Sequence, residues 1–300
     1  MHARWILPSA FLVLTANSYG CCKKTETTDP PTAVSVTEAP SVTAAPTGIN
    51  VPAAPRRTLK AGKVEGTDVW MPTFDATRPD DAAGKAWLAA RKVCADAGLE
   101  MCTETQWSHA CHDDASLGTH AAWTVTASEA VGFVVRGGGG CEARTVAAGF
   151  ETQPGRAVLC CTRAIGIRTA NPNKAFLQAT STRIGKIEAA LNRHDAAGVA
   201  AFFDDELRFY QSDVPRERAK SLMSGSFGTY PDQWAVHDDC DVSLQRTGDP
   251  ETDTWTAECS KVVYRTGEVG VTRTVYVFGG PQTLLRSLTE PRVVRKWAPP

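Results

Sequence analysis

Nineteen residues, Val93 to Cys111, hold the densest cluster of reactive side chains in the chain: VCADAGLEMCTETQWSHAC. Thiols stand at Cys94, Cys102 and Cys111, and imidazoles at His109 and, just beyond, His112. Thiols at such spacing can pair as disulfides, bind a metal or cycle between redox states. His109 and His112 share a helix face at i and i+3, and Cys111 lies between them. A zinc site needs a fourth ligand, none is evident, and Cys111 is better used in a disulfide, so no metal is expected. The run Gly137–Gly140 has the composition of a phosphate cradle. Such a cradle should lead into a helix N-terminus, and this one leads into Cys141-Glu142-Ala143-Arg144, so a tight turn is expected and no cofactor.

The elements that must position these groups are legible. Thr103-Glu104-Thr105-Gln106 fits a capping box, which places Trp107, Ala110 and Cys111 on one helix face. Upstream, Asp80 or Asp81 can cap a helix running to about Ala97, with Ala83, Trp87, Ala90 and Cys94 on its buried stripe and Gly98 as its stop. Cys141, Cys160 and Cys161 complete a set of six in this region. Six cysteines allow fifteen pairings, which spacing does not resolve. Adjacent residues on a strand point to opposite faces, so Cys160 and Cys161 should have different partners.

Three hundred residues suggest two domains, and a net charge of −1 supplies no field to attract nucleic acid. Ten cysteines suit an oxidising compartment. Met1–Arg4 is short and basic, and Trp5–Ala16 is apolar but too short to span a bilayer, as in an export signal. Ser18-Tyr19-Gly20-Cys21 resembles a bacterial lipobox, which implies cleavage before Cys21, its lipidation (palmitate included) and a signal peptide over 1–21. Residues 22–58, rich in Thr, Pro, Ala and Ser, read as a disordered tether. The absence of Asp after Cys21 resembles the pattern sent to the outer membrane, with the chain on its periplasmic or surface face.

The pattern Cys94-x3-Gly98-Leu99-x2-Cys102-Thr103-Glu104-x2-Trp107-x2-Ala110-Cys111 resembles the signature of the formylglycine-generating-enzyme (sulfatase-modifying factor) family. Val134-Val135-Arg136-Gly137-Gly138 and Val158-Leu159-Cys160-Cys161 are similar to two weaker motifs of that family. The resemblance implies a small, disulfide-stapled, C-type-lectin-like domain over 59–168. It departs from the family at the catalytic pair of thiols: Cys141 could be the first, but Val146 stands where the second belongs, so a copper-binding activity is not expected.

A second module, 171–298, opens with a stripe of Leu177, Ile184, Ile187 and Leu191. Asp195 caps a second helix, Ala196–Phe203, Leu207–Gln211 reads as a strand, and Asp213 with Pro215 starts a third helix, Arg216–Ser224. Strands follow. Trp234, Val236, Cys240, Val242 and Leu244 alternate, as do Trp255, Ala257, Cys259 and Val263, around the turn Gly248-Asp249-Pro250. Partners whose numbers sum to 499 place Cys240 opposite Cys259, Leu244 opposite Trp255, Val236 opposite Val263 and Asp238 opposite Lys261. A Cys240–Cys259 disulfide is predicted, which a bulge would spoil. Further strands are expected at Val269–Phe278 and Arg292–Trp297.

This order of elements is similar to the NTF2-like (SnoaL-like) superfamily, which implies a curved antiparallel sheet around a cone-shaped pocket. Tyr210 falls where isomerase members carry an acidic residue. Tyr210, His194 and Trp234 are therefore the candidate pocket residues, while Glu206 and Asp213 are expected in solvent. The expectation is an α+β, membrane-anchored exported lipoprotein that binds or scaffolds without catalysis, its partner a small apolar molecule, a glycan or an envelope protein. A small-molecule isomerase or hydrolase and a thiol redox protein are the alternatives.

Overall fold

A computed structural model describes residues 53–79, 84–128, 132–149, 155–170, 173–249, 253–265, 267–279 and 284–297, without side chains at 291–297. The signal peptide, Cys21, most of the tether, Asp80, Asp81, Ala83 and Pro250 lie outside these residues. The chain begins with β1 (Ala54–Leu59), β2 (Gly62–Lys63), β3 (Trp70–Met71), β4 (Phe74–Arg78), α1 (Trp87–Asp96), β5 (Glu100–Met101) and α2 (Glu104–Asp113). A 3-10 turn, Ala115–Thr119, leads to β6 (Ala122–Ala127), β7 (Phe133–Arg136), β8 (Arg144–Ala147), β9 (Ala157–Val158), β10 (Cys160–Cys161) and β11 (Ile167–Arg168). Next come α3 (Lys174–Asn192), α4 (Ala196–Ala200), β12 (Phe203–Phe209), β13 (Ser212–Pro215) and α5 (Arg216–Thr229). Four long strands finish the chain: β14 (Trp234–Gln245), β15 (Thr254–Arg265), β16 (Glu268–Gly279) and β17 (Leu284–Trp297).

Local chemistry explains most boundaries. The Thr103 hydroxyl accepts from the Gln106 amide, and the Gln106 side chain accepts from the Thr103 amide, closing the capping box of α2. Gly98, at φ +70°, ends the turn after α1, where a Cβ would be strained. The start of α1 differs from expectation: it begins at Trp87, and its N-cap Ala86 offers no side-chain bond. Instead Trp87 donates its amide to Gly149 O and its indole to Thr124 O.

In the second half, Asp195 caps α4 as expected, but α4 stops at Ala200 and Phe203–Phe209 is strand throughout. The β-branched and aromatic content of that segment gave no warning, because Asp204, Asp205 and Glu206 dominate it. Helix α5 runs to Thr229, five residues longer than expected, since Met223 and Phe227 continue its buried face. Asp213 is not its cap; it pairs with Arg208 across the β12–β13 hairpin.

The disulfides are Cys94–Cys160, Cys102–Cys161, Cys111–Cys141 and Cys240–Cys259. Cys160 and Cys161 do take different partners, on β10 between β4 and β5. The β14–β15 register follows the sum of 499 from Gln245 back to Cys240, then shifts. Val236 pairs with Val262 and His237 with Lys261, because Asp238 and Asp239 form a bulge. The bulge lies beyond the cysteines, so the cross-strand disulfide survives it. It also turns His237 to the same face as Cys240 and sends Val236 to the opposite face.

These strands belong to a nine-stranded sheet of order β13-β12-β17-β16-β15-β14-β11-β3-β2. It is mixed rather than antiparallel, since β12 runs parallel to β17 and β11 parallel to β14. The inner face packs on α3–α5 through Ile184, Ile187, Phe203, Ala257 and Phe278. The outer face, through Val236, Val262 and Val269, packs on Trp87, Met101, Trp123 and Phe133 of the first module. Strands β2 and β3 of the first module extend the same sheet, and the described residues form one compact unit.

Candidate functional site

Between α5 and the inner face of β14–β17 lies a cavity of about 520 Å³, within the range that holds drug-sized molecules. Its walls are mixed: Leu191, Phe209, Met223, Phe227, Val263 and Leu288 supply the apolar part, and polar side chains from α5 and the sheet the rest. Helix α5 roofs the space with Met223 and Phe227, four residues apart on one face.

The polar groups on the sheet side arise from three neighbouring strands. Lys261 on β15, Tyr276 and Thr272 on β16, and Glu290 on β17 all border the space. The Lys261 ammonium donates to Glu290 Oε1, with only 6 % of the lysine exposed. Behind Tyr276 runs a buried chain of hydrogen bonds. Its hydroxyl sits 2.7 Å from His237 Nε2, and His237 Nδ1 sits 2.9 Å from Glu188 Oε2. A carboxylate only accepts, so Nδ1 carries the proton and Nε2 accepts from the Tyr276 hydroxyl. Glu188 also accepts from the His237 amide (2.6 Å) and from Arg163 Nε (2.6 Å) and Nη2 (3.0 Å).

This chain settles the charges. Burial alone would raise the Glu188 carboxyl, but the Arg163 guanidinium and the His237 hydrogen bond outweigh it and hold the group down at about 2. Burial lowers His237 against the pull of Glu188, which leaves a neutral ring. Burial, with the charges of Glu290 and Glu188, pushes the Tyr276 phenol well up. The groups are thus fixed as carboxylate, neutral imidazole and protonated phenol.

The three pocket candidates read from sequence separate. Tyr210 borders the cavity at its rim, 43 % exposed, in a left-handed conformation (φ +55°) at the tip of the β12–β13 hairpin. Its amide donates to Leu288 O, which ties the tip to β17. Trp234 also borders the cavity, but its ring stacks on Tyr264 and lies under Arg91, toward the first module. His194 is not in the lining. It follows the C-cap of α3 at φ +55°, contacts Gln233 O through Nε2, and stacks on Phe227. Glu206 is exposed.

Sequence reasoning missed Lys261, Glu290, Tyr276, His237, Glu188 and Arg163. One signal was present: Glu188 sits one residue after Ile187 and four after Ile184, on an otherwise apolar stripe, and a carboxylate there must find a cation. In the first module, Cys111 is bonded to Cys141, His109 Nε2 contacts Lys60 O, and His112 lies near Glu65 and Glu142. Gly137, Gly138 and Gly140 have positive φ in the turn between β7 and β8. At Gly137 a Cβ would lie 2.4 Å from His120 O, so the turn needs glycine for space as well as dihedral. Among the described residues no cluster of His, Cys, Asp and Glu could hold a metal ion, and no helix is long and apolar enough to cross a membrane.

No protein-family model matches the chain, and no curated protein matches it in sequence. Among solved structures, it is similar to an uncharacterized cystatin-fold protein from Novosphingobium aromaticivorans, at 16 % identity and a TM-score of 0.28, over 37 % of this chain and 96 % of that one. It is similar to a domain of unknown function with a cystatin-like fold from Nostoc punctiforme, at 14 % identity and a TM-score of 0.32, over 40 % and 80 %. It is also similar to ActVI-ORFA from Streptomyces coelicolor, at 19 % identity and a TM-score of 0.30, over 41 % and 99 %.

Proposed function

We propose that this protein is an exported lipoprotein, held on a bacterial membrane through Cys21, that binds a small and largely apolar molecule without transforming it. Its second module is read as an NTF2-like cone. Its first module is read as a truncated formylglycine-generating-enzyme-like domain of C-type-lectin-like fold that braces the outer face of the cone's sheet. The observation that carries the binding reading is the open cavity of about 520 Å³, with Phe209, Met223, Phe227, Val263 and Leu288 on its walls and a few polar side chains among them.

Binding is favoured over acid–base catalysis by the state of the polar groups. A general acid or base works best with a pKa near the operating pH and a free lone pair or proton. His237 is neutral with both ring nitrogens engaged, and the Tyr276 phenol holds its proton more tightly than an ordinary tyrosine. The redox alternative finds little support, since all eight cysteines among the described residues are paired. Four disulfides suit an oxidising, extracytoplasmic compartment, in line with the export signal.

Native mass spectrometry of the protein taken from its own membrane tests the binding reading. A co-purifying small molecule is expected, and filling the cavity with Met223→Trp and Leu288→Trp should remove it. Turnover of a small molecule that Tyr276→Phe or Tyr210→Phe abolishes would replace this reading with the isomerase or hydrolase one. For the anchor, Cys21→Ser should move the protein from the detergent phase to the aqueous phase.

A further inference from the structure

We infer that the cavity selects an uncharged ligand whose polar end is a hydroxyl or carbonyl oxygen, received by Lys261. The inference rests on the reading that the cavity binds a small molecule, and it adds the chemical class.

The charges bordering the cavity are balanced within it. Two are cationic, Lys261 and Arg265, and two anionic, Glu268 and Glu290. The inner pair is already joined, since the Lys261 ammonium donates to Glu290 and has no other hydrogen-bond partner among the described residues. At the outer end, Arg265 lies over the Tyr230 ring at 4.3 Å, directly opposite Glu268 in the β15–β16 register. A carboxylate entering this space would meet Glu290 beside the cation it seeks. An ammonium would meet Lys261 beside Glu290. At the inner end of the cavity either ion would lose its water without gaining an unshared counter-charge, and a desolvated ion without a partner is costly.

A neutral oxygen faces no such conflict. Lys261 has three ammonium hydrogens and Glu290 takes one, so the ammonium keeps donor capacity for a carbonyl or hydroxyl oxygen. The rest of the ligand would lie against Met223, Phe227, Val263 and Leu288, which offer nothing but apolar surface.

Calorimetric titration of the full-length protein with four probes of one shape tests this: 2-naphthylmethanol, 2-naphthoate, 2-naphthylmethylammonium and 2-methylnaphthalene. The alcohol should bind at least tenfold more tightly than either ion and several-fold more tightly than the hydrocarbon. The double variant Lys261→Met/Glu290→Gln, which removes both charges and leaves neither charge unpaired, should erase the advantage of the alcohol while the hydrocarbon binds as before. Tightest binding of naphthoate or of the ammonium probe would overturn the charge argument and leave the cavity a binding site. An alcohol preference that survives in the double variant would overturn the role of Lys261. Failure of all four probes to bind the wild-type protein would overturn the binding reading itself, and this inference with it.

Discussion

Glu188 is the residue on which the inner face of the sheet depends. It is one of the few carboxylates in the core and accepts from Arg163 twice and from His237 twice. Glu188→Gln should leave the Arg163 guanidinium without its counter-charge and lower stability by about 3–5 kcal/mol, measured by urea unfolding. The pH dependence has a definite sign. The folded pKa of about 2 lies below the ordinary 4.5, so ionised Glu188 contributes stability at neutral pH that is lost as pH falls from the ordinary value toward 2. Glu188→Gln should lack that part of the acid slope; an unchanged slope would show that the acid loss originates elsewhere.

At the scale of elements, the β14–β15 pair shows how one inserted residue redistributes side chains. Before the bulge Val242 and Cys240 face the helices; after it His237 and Ala235 do, and Val236 turns to the first module. The disulfide beside the bulge closes a loop of 19 residues in sequence separation, for which loss of cross-link entropy implies about 3 kcal/mol. Replacing Cys240 and Cys259 together by Ala should lower stability by about that amount, and an unchanged melting temperature would show that the sheet ladder alone suffices. On α2, Gln106→Ala removes one arm of the capping box and also the bond from Gln106 Nε2 to Thr162 O. It should cost about 1–2 kcal/mol by the same assay.

At the scale of the whole molecule, the two modules are joined by a shared core and by buried acids. Trp87 is 1 % exposed, stacks on Phe133 at 3.6 Å and lies 5.9 Å from Trp234. Trp87→Ala should cost about 3–5 kcal/mol and lower the unfolding of both modules together. Calorimetry that resolved two independent transitions would contradict the shared core. Asp239 accepts from Thr105 Oγ1 (2.6 Å) and from Arg168 Nη2 (2.9 Å). Beside it, burial and then the charge of Asp239 push Asp238 up to about 7. A raised folded pKa means that stability is full below the unfolded value of 3.8 and declines as pH rises from there through 7. Asp238→Asn should therefore stabilise the protein at pH 8 and flatten this slope, read from melting temperature against pH.

What the chain determines by itself is local. The capping box at Thr103, the stop at Gly98, the cap at Asp195 and the separate partners of Cys160 and Cys161 each follow from chemistry within a few residues. The hairpin register is legible as far as Cys240, where period-two alternation is unbroken. Beyond that point only tertiary contact decides. The bulge at Asp238–Asp239 answers to Thr105, Thr126 and Arg168 from distant parts of the chain. The start of α1 is held by Gly149 and Thr124 rather than by its own cap. The candidate site was illegible for the same reason. Lys261, Tyr276 and Glu290 meet because strands β15, β16 and β17 lie side by side, and no spacing along the sequence encodes that neighbourhood.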